Sequence, residues 1–101
     1  MSQRVFVLGN GGHDYSDALR FGELVHIDIP HRAKWVLSQL YDILHKELED
    51  ATEEDYFVIS NLTSTCCIAT GFFVEWFGKV NFLIYQNNKY EKHTVMFGEL
   101  T

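Results

Sequence analysis

Two polar stretches carry most of the side chains that could do chemistry. The first, Gly9-Asn10-Gly11-Gly12-His13-Asp14-Tyr15-Ser16, places three glycines within four residues and follows them with an imidazole, a carboxylate, a phenol and a hydroxyl. Glycine at this density lets the backbone take positive φ or approach a ligand closely. The second, Ser60-Asn61-Leu62-Thr63-Ser64-Thr65, is rich in hydroxyls and stands just ahead of an apolar segment. Asn10, Gly11, Gly12, His13, Asp14, Tyr15 and Ser16, with Ser60, Asn61, Thr63, Ser64 and Thr65, are the candidate ligand-binding residues. They offer backbone N–H groups, hydroxyls and amides, a set that can hold phosphate or another anion without positive side chains. A plainer reading stands beside this one: the glycines turn the chain tightly after a strand, and the Ser/Thr residues cap a helix.

Catalytic motifs are sparse. Gly9-x-Gly11-Gly12 matches a dinucleotide fingerprint only in part, because Asp14 stands where the third glycine of G-x-G-x-x-G belongs. The chain has no G-K-[ST] for a P-loop and no nucleophile elbow, so the usual routes to NAD or ATP binding and to a Ser-His-Asp triad are unsupported. His13 beside Asp14 could act as an acid/base on a phosphoester, although side chains of adjacent residues usually diverge. His26, His31, His45 and His93 lack metal-ligand spacing, and no metal or cofactor is expected. Cys66-Cys67 lacks the C-x-x-C spacing of a redox pair, and adjacent cysteines bond to each other only with strain.

The elements that must position these loops can be read from periodicity. Arg4 to Leu8 is a short strand that opens into the glycine loop, and Ser16 to Phe21 suits a short helix stopped near Gly22. Leu24 to Ile29 reads as a strand ended by Pro30. From His31 to Leu48, Ala33, Leu37, Leu40, Tyr41, Leu44 and Leu48 recur at three- and four-residue steps, the pattern of a helix with one apolar stripe. Tyr56 to Ile59 is a buried strand, Cys66 to Phe77 an apolar helix with Glu75 as its one charge, and Gly78 its stop. Val80 to Tyr85 and Tyr90 to Phe97 are strands joined by a compact turn at Gln86–Lys89, the second an antiparallel edge.

Strand, helix and strand from Tyr56 to Tyr85 make a βαβ unit, which is nearly always right-handed with parallel strands. The expected fold is one α/β domain over residues 1–101: a small Rossmann-like or flavodoxin-like three-layer sandwich. Its mostly parallel sheet has about five strands, with strand 4–8 beside strand 56–60 at the centre and a C-terminal antiparallel hairpin at one edge. In such sheets ligands bind beyond the carboxyl ends of the strands, where loops 9–16 and 60–65 should meet.

Composition narrows the classes. The formal charge is −6, and six of the nine residues from Glu47 to Asp55 are acidic, so a nucleic-acid polymer is not an expected partner. Hydrophobic content of 47% with 15% aromatic residues fits a globular domain rather than a disordered one. The longest apolar run is far short of the ~20 residues of a membrane span, and no signal-peptide pattern opens the chain, so a soluble, cytoplasmic protein is expected. Phe73, Trp76 and Phe77 add aromatic area that one small sheet would not cover, and they are the candidate interface of a homodimer.

The layout resembles the Rossmann-like ligand-sensing domains that bind nucleotide second messengers as dimers, a resemblance in the order of elements. It implies a non-catalytic module that holds a nucleotide or other anionic small molecule. The alternatives are a small phosphoester-hydrolysing enzyme that uses His13, or an assembly protein with no small ligand. Small size, few catalytic motifs and an acidic surface would suit an accessory protein of a virus or mobile element.

Overall fold

The computed structural model describes residues 3–9, 14–30, 32–33, 36–60 and 62–98. Five strands form one sheet: β1 (Arg4–Leu8), β2 (Glu23–Ile27), β3 (Tyr56–Val58), β4 (Lys79–Gln86) and β5 (Lys89–Met96). Their order is β2-β1-β3-β4-β5, so β1 and β3 are neighbours at the centre, as expected from their apolar content. The pairs β1–β2, β1–β3 and β3–β4 are parallel, and β4–β5 is antiparallel. The β4–β5 hairpin closes on Asn87 and Asn88, both at positive φ (54° and 67°), which asparagine tolerates in a two-residue turn.

Two α-helices, α1 (Leu37–Leu48) and α2 (Thr63–Phe77), share one face of the sheet. Alternation along the strands sends Phe6, Leu8, Ile27, Phe57 and Val80 to this side, where they meet Leu40, Leu44 and Leu48 of α1 and Ala69, Phe72 and Phe73 of α2. Phe57 stacks on Phe73 with ring centroids 5.7 Å apart, and burial of each such ring contributes about 1.5–3 kcal/mol. The opposite face buries Val5, Val7, Tyr56, Val58, Leu83 and Tyr90 beneath a six-residue 3-10 helix, Ser16–Phe21.

That second face is covered more thinly than in the expected three-layer sandwich. The segment joining β1 to β2 is short and rich in glycine and polar residues, so it supplies a 3-10 turn in place of an amphipathic α-helix. Its position still obeys right-handed connection. The path from β1 to β2 and the path from β2 to β3 run in opposite directions along the sheet, and they cross on opposite faces.

Several boundaries differ from those expected. The helix expected from His31 begins at Leu37: Ala33 N–H bonds back to the Pro30 carbonyl, Val36 N–H to that of Ala33, and Val36 is extended (φ −120°, ψ 95°). Ile29 and Ala33, on either side of this turn, are buried in the core. Residues 31, 34 and 35 lie outside the described residues. Strand β2 ends at Ile27, two residues before the expected end. Helix α2 is not buried all round: Cys67, Gly71 and Glu75 form an exposed side. Its C-terminus is as expected, with Gly78 left-handed at φ 70° and its N–H bonded to the Val74 carbonyl at 2.8 Å. Gly22 is required for space, since a Cβ there would lie 2.3 Å from the Gln3 carbonyl oxygen.

Candidate functional site

β1 leaves the sheet at Gly9, which takes φ 88° and donates its N–H to the Ile27 carbonyl at 2.8 Å. The chain is described again at Asp14, whose carboxylate accepts the Ser16 N–H at 2.9 Å and so starts the 3-10 helix. That bond, with one from the Ser16 side chain, holds the Asp14 carboxyl below its usual range. One turn later Asp17 accepts the Tyr90 N–H at 2.7 Å and pairs with Arg20 at 3.2 Å. Arg20 also donates to the Tyr90 carbonyl and covers the Phe21 ring at 4.2 Å. The 3-10 helix is thereby fastened to the first residues of β5, and Tyr15 is aligned with Tyr90.

β3 ends beside this point. Ile59 N–H bonds to the Leu83 carbonyl at 3.0 Å, and Ser60 turns the chain into α2 by accepting the Leu62 N–H on its hydroxyl at 3.2 Å. The Cys66 thiol lies 3.8 Å from both the Ser60 carbonyl and the Ser60 hydroxyl. Helix α2 has Leu62 as N-cap residue and no side-chain cap, which corrects the expectation that its Ser/Thr residues cap it. Thr63 and Ser64 are exposed on the first turn, and Thr65 is buried.

Between these ends lies a cavity of about 530 Å³ lined by Asp14, Tyr15, Val58, Ile59, Ser60, Tyr85 and Tyr90. It opens at the carboxyl edge of the central strands, on the side of the 3-10 helix, where the connections after β1 and β3 diverge to opposite faces. Three phenol rings dominate its wall. Tyr15 and Tyr90 are nearly parallel (26°) with centroids 6.4 Å apart, and Tyr85 meets Tyr90 edge-on at 5.0 Å. The Tyr15 ring also meets His26 edge-on at 5.9 Å. Burial pushes the Tyr90 phenol above its ordinary pKa, and Tyr15, Tyr85, Asp14 and Asp17 add to the shift, so at neutral pH it keeps its proton.

Of the candidate ligand-binding residues, the structure brings Asp14, Tyr15 and Ser60 to the cavity wall. Ser16, Thr63, Ser64 and Thr65 are not part of it. Asn10, Gly11, Gly12, His13 and Asn61 lie outside the described residues, so the acid/base role considered for His13 has no described geometry. Sequence reasoning missed Tyr85 and Tyr90. The signal was in the turn: a two-residue hairpin at Asn87-Asn88 pairs Gln86 with Lys89 and sets Tyr85 opposite Tyr90, on the same face. Among the described residues no group of three His, Cys, Asp or Glu side chains could hold a metal ion.

Residues 3–98 match the family described as Phage Pam3 gp32-like protein. The chain belongs to that family. No curated protein matches it, and neither does any solved structure. Phage membership accords with the viral origin expected from size and composition. Among the described residues of this phage-family chain, no helix is long and apolar enough to cross a membrane.

The three candidate interface residues separate in the structure. Phe73 is 1% exposed and belongs to the chain's own core, a correction to its placement on a dimer surface. α1 covers what the sheet does not, so the aromatic side chains of α2 are mostly satisfied within one chain. Trp76 and Phe77 are half-buried. Trp76 stacks on Phe72 at 4.9 Å and meets His45 edge-on at 5.9 Å, while Tyr41 of α1 reaches Phe72 at 5.0 Å.

Proposed function

We propose that this phage-family chain is a non-catalytic binding module for a nucleotide-sized small molecule, with the ring part of the ligand seated among Tyr15, Tyr85 and Tyr90. The observation that carries the reading is the cavity itself. Its volume falls within the range of small-molecule sites, about 300–1,000 Å³, and its walls converge where open α/β sheets bind ligands. An anionic end of the ligand would have to reach out of the cavity past Ser60 to the first turn of α2, whose N-cap residue Leu62 places no side chain on the helix N–H groups.

Isothermal titration against a panel of nucleosides, mononucleotides and dinucleotides tests this. A saturable one-to-one complex is expected. Tyr85→Ala should weaken it by about 1–3 kcal/mol, the usual worth of one base–aromatic stack, with an unchanged melting temperature because Tyr85 is 55% exposed. Tyr41→Ala, on α1 across the sheet, should leave affinity unchanged. Absence of saturable binding across the panel, or equal affinity for wild type and Tyr85→Ala, overturns the reading.

A further inference from the structure

We infer that the ligand portion held by the cavity is an organic cation, an N-alkylated heterocycle or quaternary ammonium, rather than a neutral ring or a phosphate; this rests on the cavity being the binding site. The described lining holds one charged side chain, the Asp14 carboxylate, and no basic one. Asp14 is fixed as an anion by the Ser16 N–H. Asp17 is held nearby, paired with Arg20 on the side of the 3-10 helix, and its charge is largely matched there. Three aromatic rings share the cavity wall with Asp14, two nearly parallel at 6.4 Å and one edge-on to the second at 5.0 Å.

Aromatic faces carry negative potential, and several rings beside a carboxylate form the surroundings in which alkylated ammonium groups lose water most cheaply. A phosphate would meet the opposite: a carboxylate on the wall and no counter-charge among the described lining residues. A neutral base could stack but would gain nothing from Asp14. The two features together, rings and a carboxylate with no basic side chain among the described lining residues, favour positive charge.

Matched probe pairs decide the question. Choline is compared with its neutral carbon isostere 3,3-dimethyl-1-butanol, and 7-methylguanosine with guanosine, by titration calorimetry on the full chain. Each cation should bind about tenfold tighter than its neutral partner. That preference should shrink in Asp14→Asn and in Tyr85→Leu, which keeps apolar bulk but lacks a π face. Circular dichroism melting of both variants verifies the fold. If neutral partners or inorganic phosphate bind as well as the cations, with sensitivity to Tyr85→Ala retained, the cation assignment fails and the binding module stands. If no probe and no nucleotide binds, both fail. A cation preference of equal size in both variants would reflect the net charge of −6 rather than the cavity, and also overturns the assignment.

Discussion

Asp55 shows how much of the architecture can rest on one side chain. Its carboxylate, 3% exposed, accepts the Arg4 N–H at 2.9 Å, the Arg4 guanidinium at 3.1 Å and the Thr52 N–H at 2.9 Å. It joins the start of β1 to the turn before β3 at the amino ends of the strands, opposite the cavity. Asn81 extends the clamp by donating to the carbonyls of Glu53 (3.0 Å) and Asp55 (3.1 Å) and accepting from the Thr94 hydroxyl at 2.7 Å. Removing Asp55 leaves the Arg4 and Thr52 N–H groups without their acceptor and leaves the Arg4 guanidinium with Asp50 alone. Asp55→Ala should therefore cost about 3 kcal/mol in urea unfolding. Asp50→Ala should cost less than about 1 kcal/mol, because the Asp50 side chain is 73% exposed. In the sequence Asp55 is merely the last member of an acidic run. Nothing in its spacing separates it from its solvated neighbours, because the distinction is made by Arg4, fifty-one residues away.

Between elements, the link from the 3-10 helix to β5 carries a pH signature. The Tyr90 N–H, and after it Arg20, lower the Asp17 carboxyl below its ordinary 3.8. A carboxyl whose pKa is depressed by folding stabilises the fold above its unfolded pKa and loses that contribution as pH falls through the folded value. Asp17→Ala should accordingly melt earlier than wild type at neutral pH, and the gap should close as pH drops below about 4. A gap independent of pH would show that the ion pair and N–H bond contribute nothing through charge. Most elements were legible in sequence because their apolar periods are local: β1, the turn at Asn87-Asn88, the Gly78 stop and the Leu40, Leu44, Leu48 stripe all stand where the pattern puts them. The start of α1 was not, because the stripe continues back through Leu37 and Ala33 while the backbone breaks at Val36. Leu37 is 58% exposed despite being in phase with the buried leucines. The outer side of α2 escaped for the converse reason: Cys67 and Gly71 are apolar or neutral by type yet face solvent.

At the scale of the molecule, the central pairing of β1 with β3, the antiparallel edge hairpin and the short helix at Ser16–Phe21 were legible, whereas the full strand order was not, since hydropathy does not say on which side of β1 the strand β2 is laid. Half of the cavity was legible: the loops after β1 and β3 announce themselves by composition, but Tyr85 and Tyr90 look like ordinary strand aromatics until the hairpin register is counted. The α1–α2 layer leaves Leu37 and Tyr41 exposed beside half-buried Trp76, and we propose this patch as the contact of a two-fold dimer. Native mass spectrometry should find a dimer for wild type and a folded monomer for Trp76→Glu; a monomeric wild type removes the proposal. The cavity has one further consequence. Its walls come from Asp14 and Tyr15 on one side and Tyr85 and Tyr90 on the other, separated by most of the chain. During translation the pocket cannot be complete until the ribosome has released the β4–β5 hairpin, so affinity for a ligand waits on that segment. A chain truncated before β5 would keep Asp14, Tyr15 and Tyr85 and lack Tyr90, the ring that meets both of the other phenols.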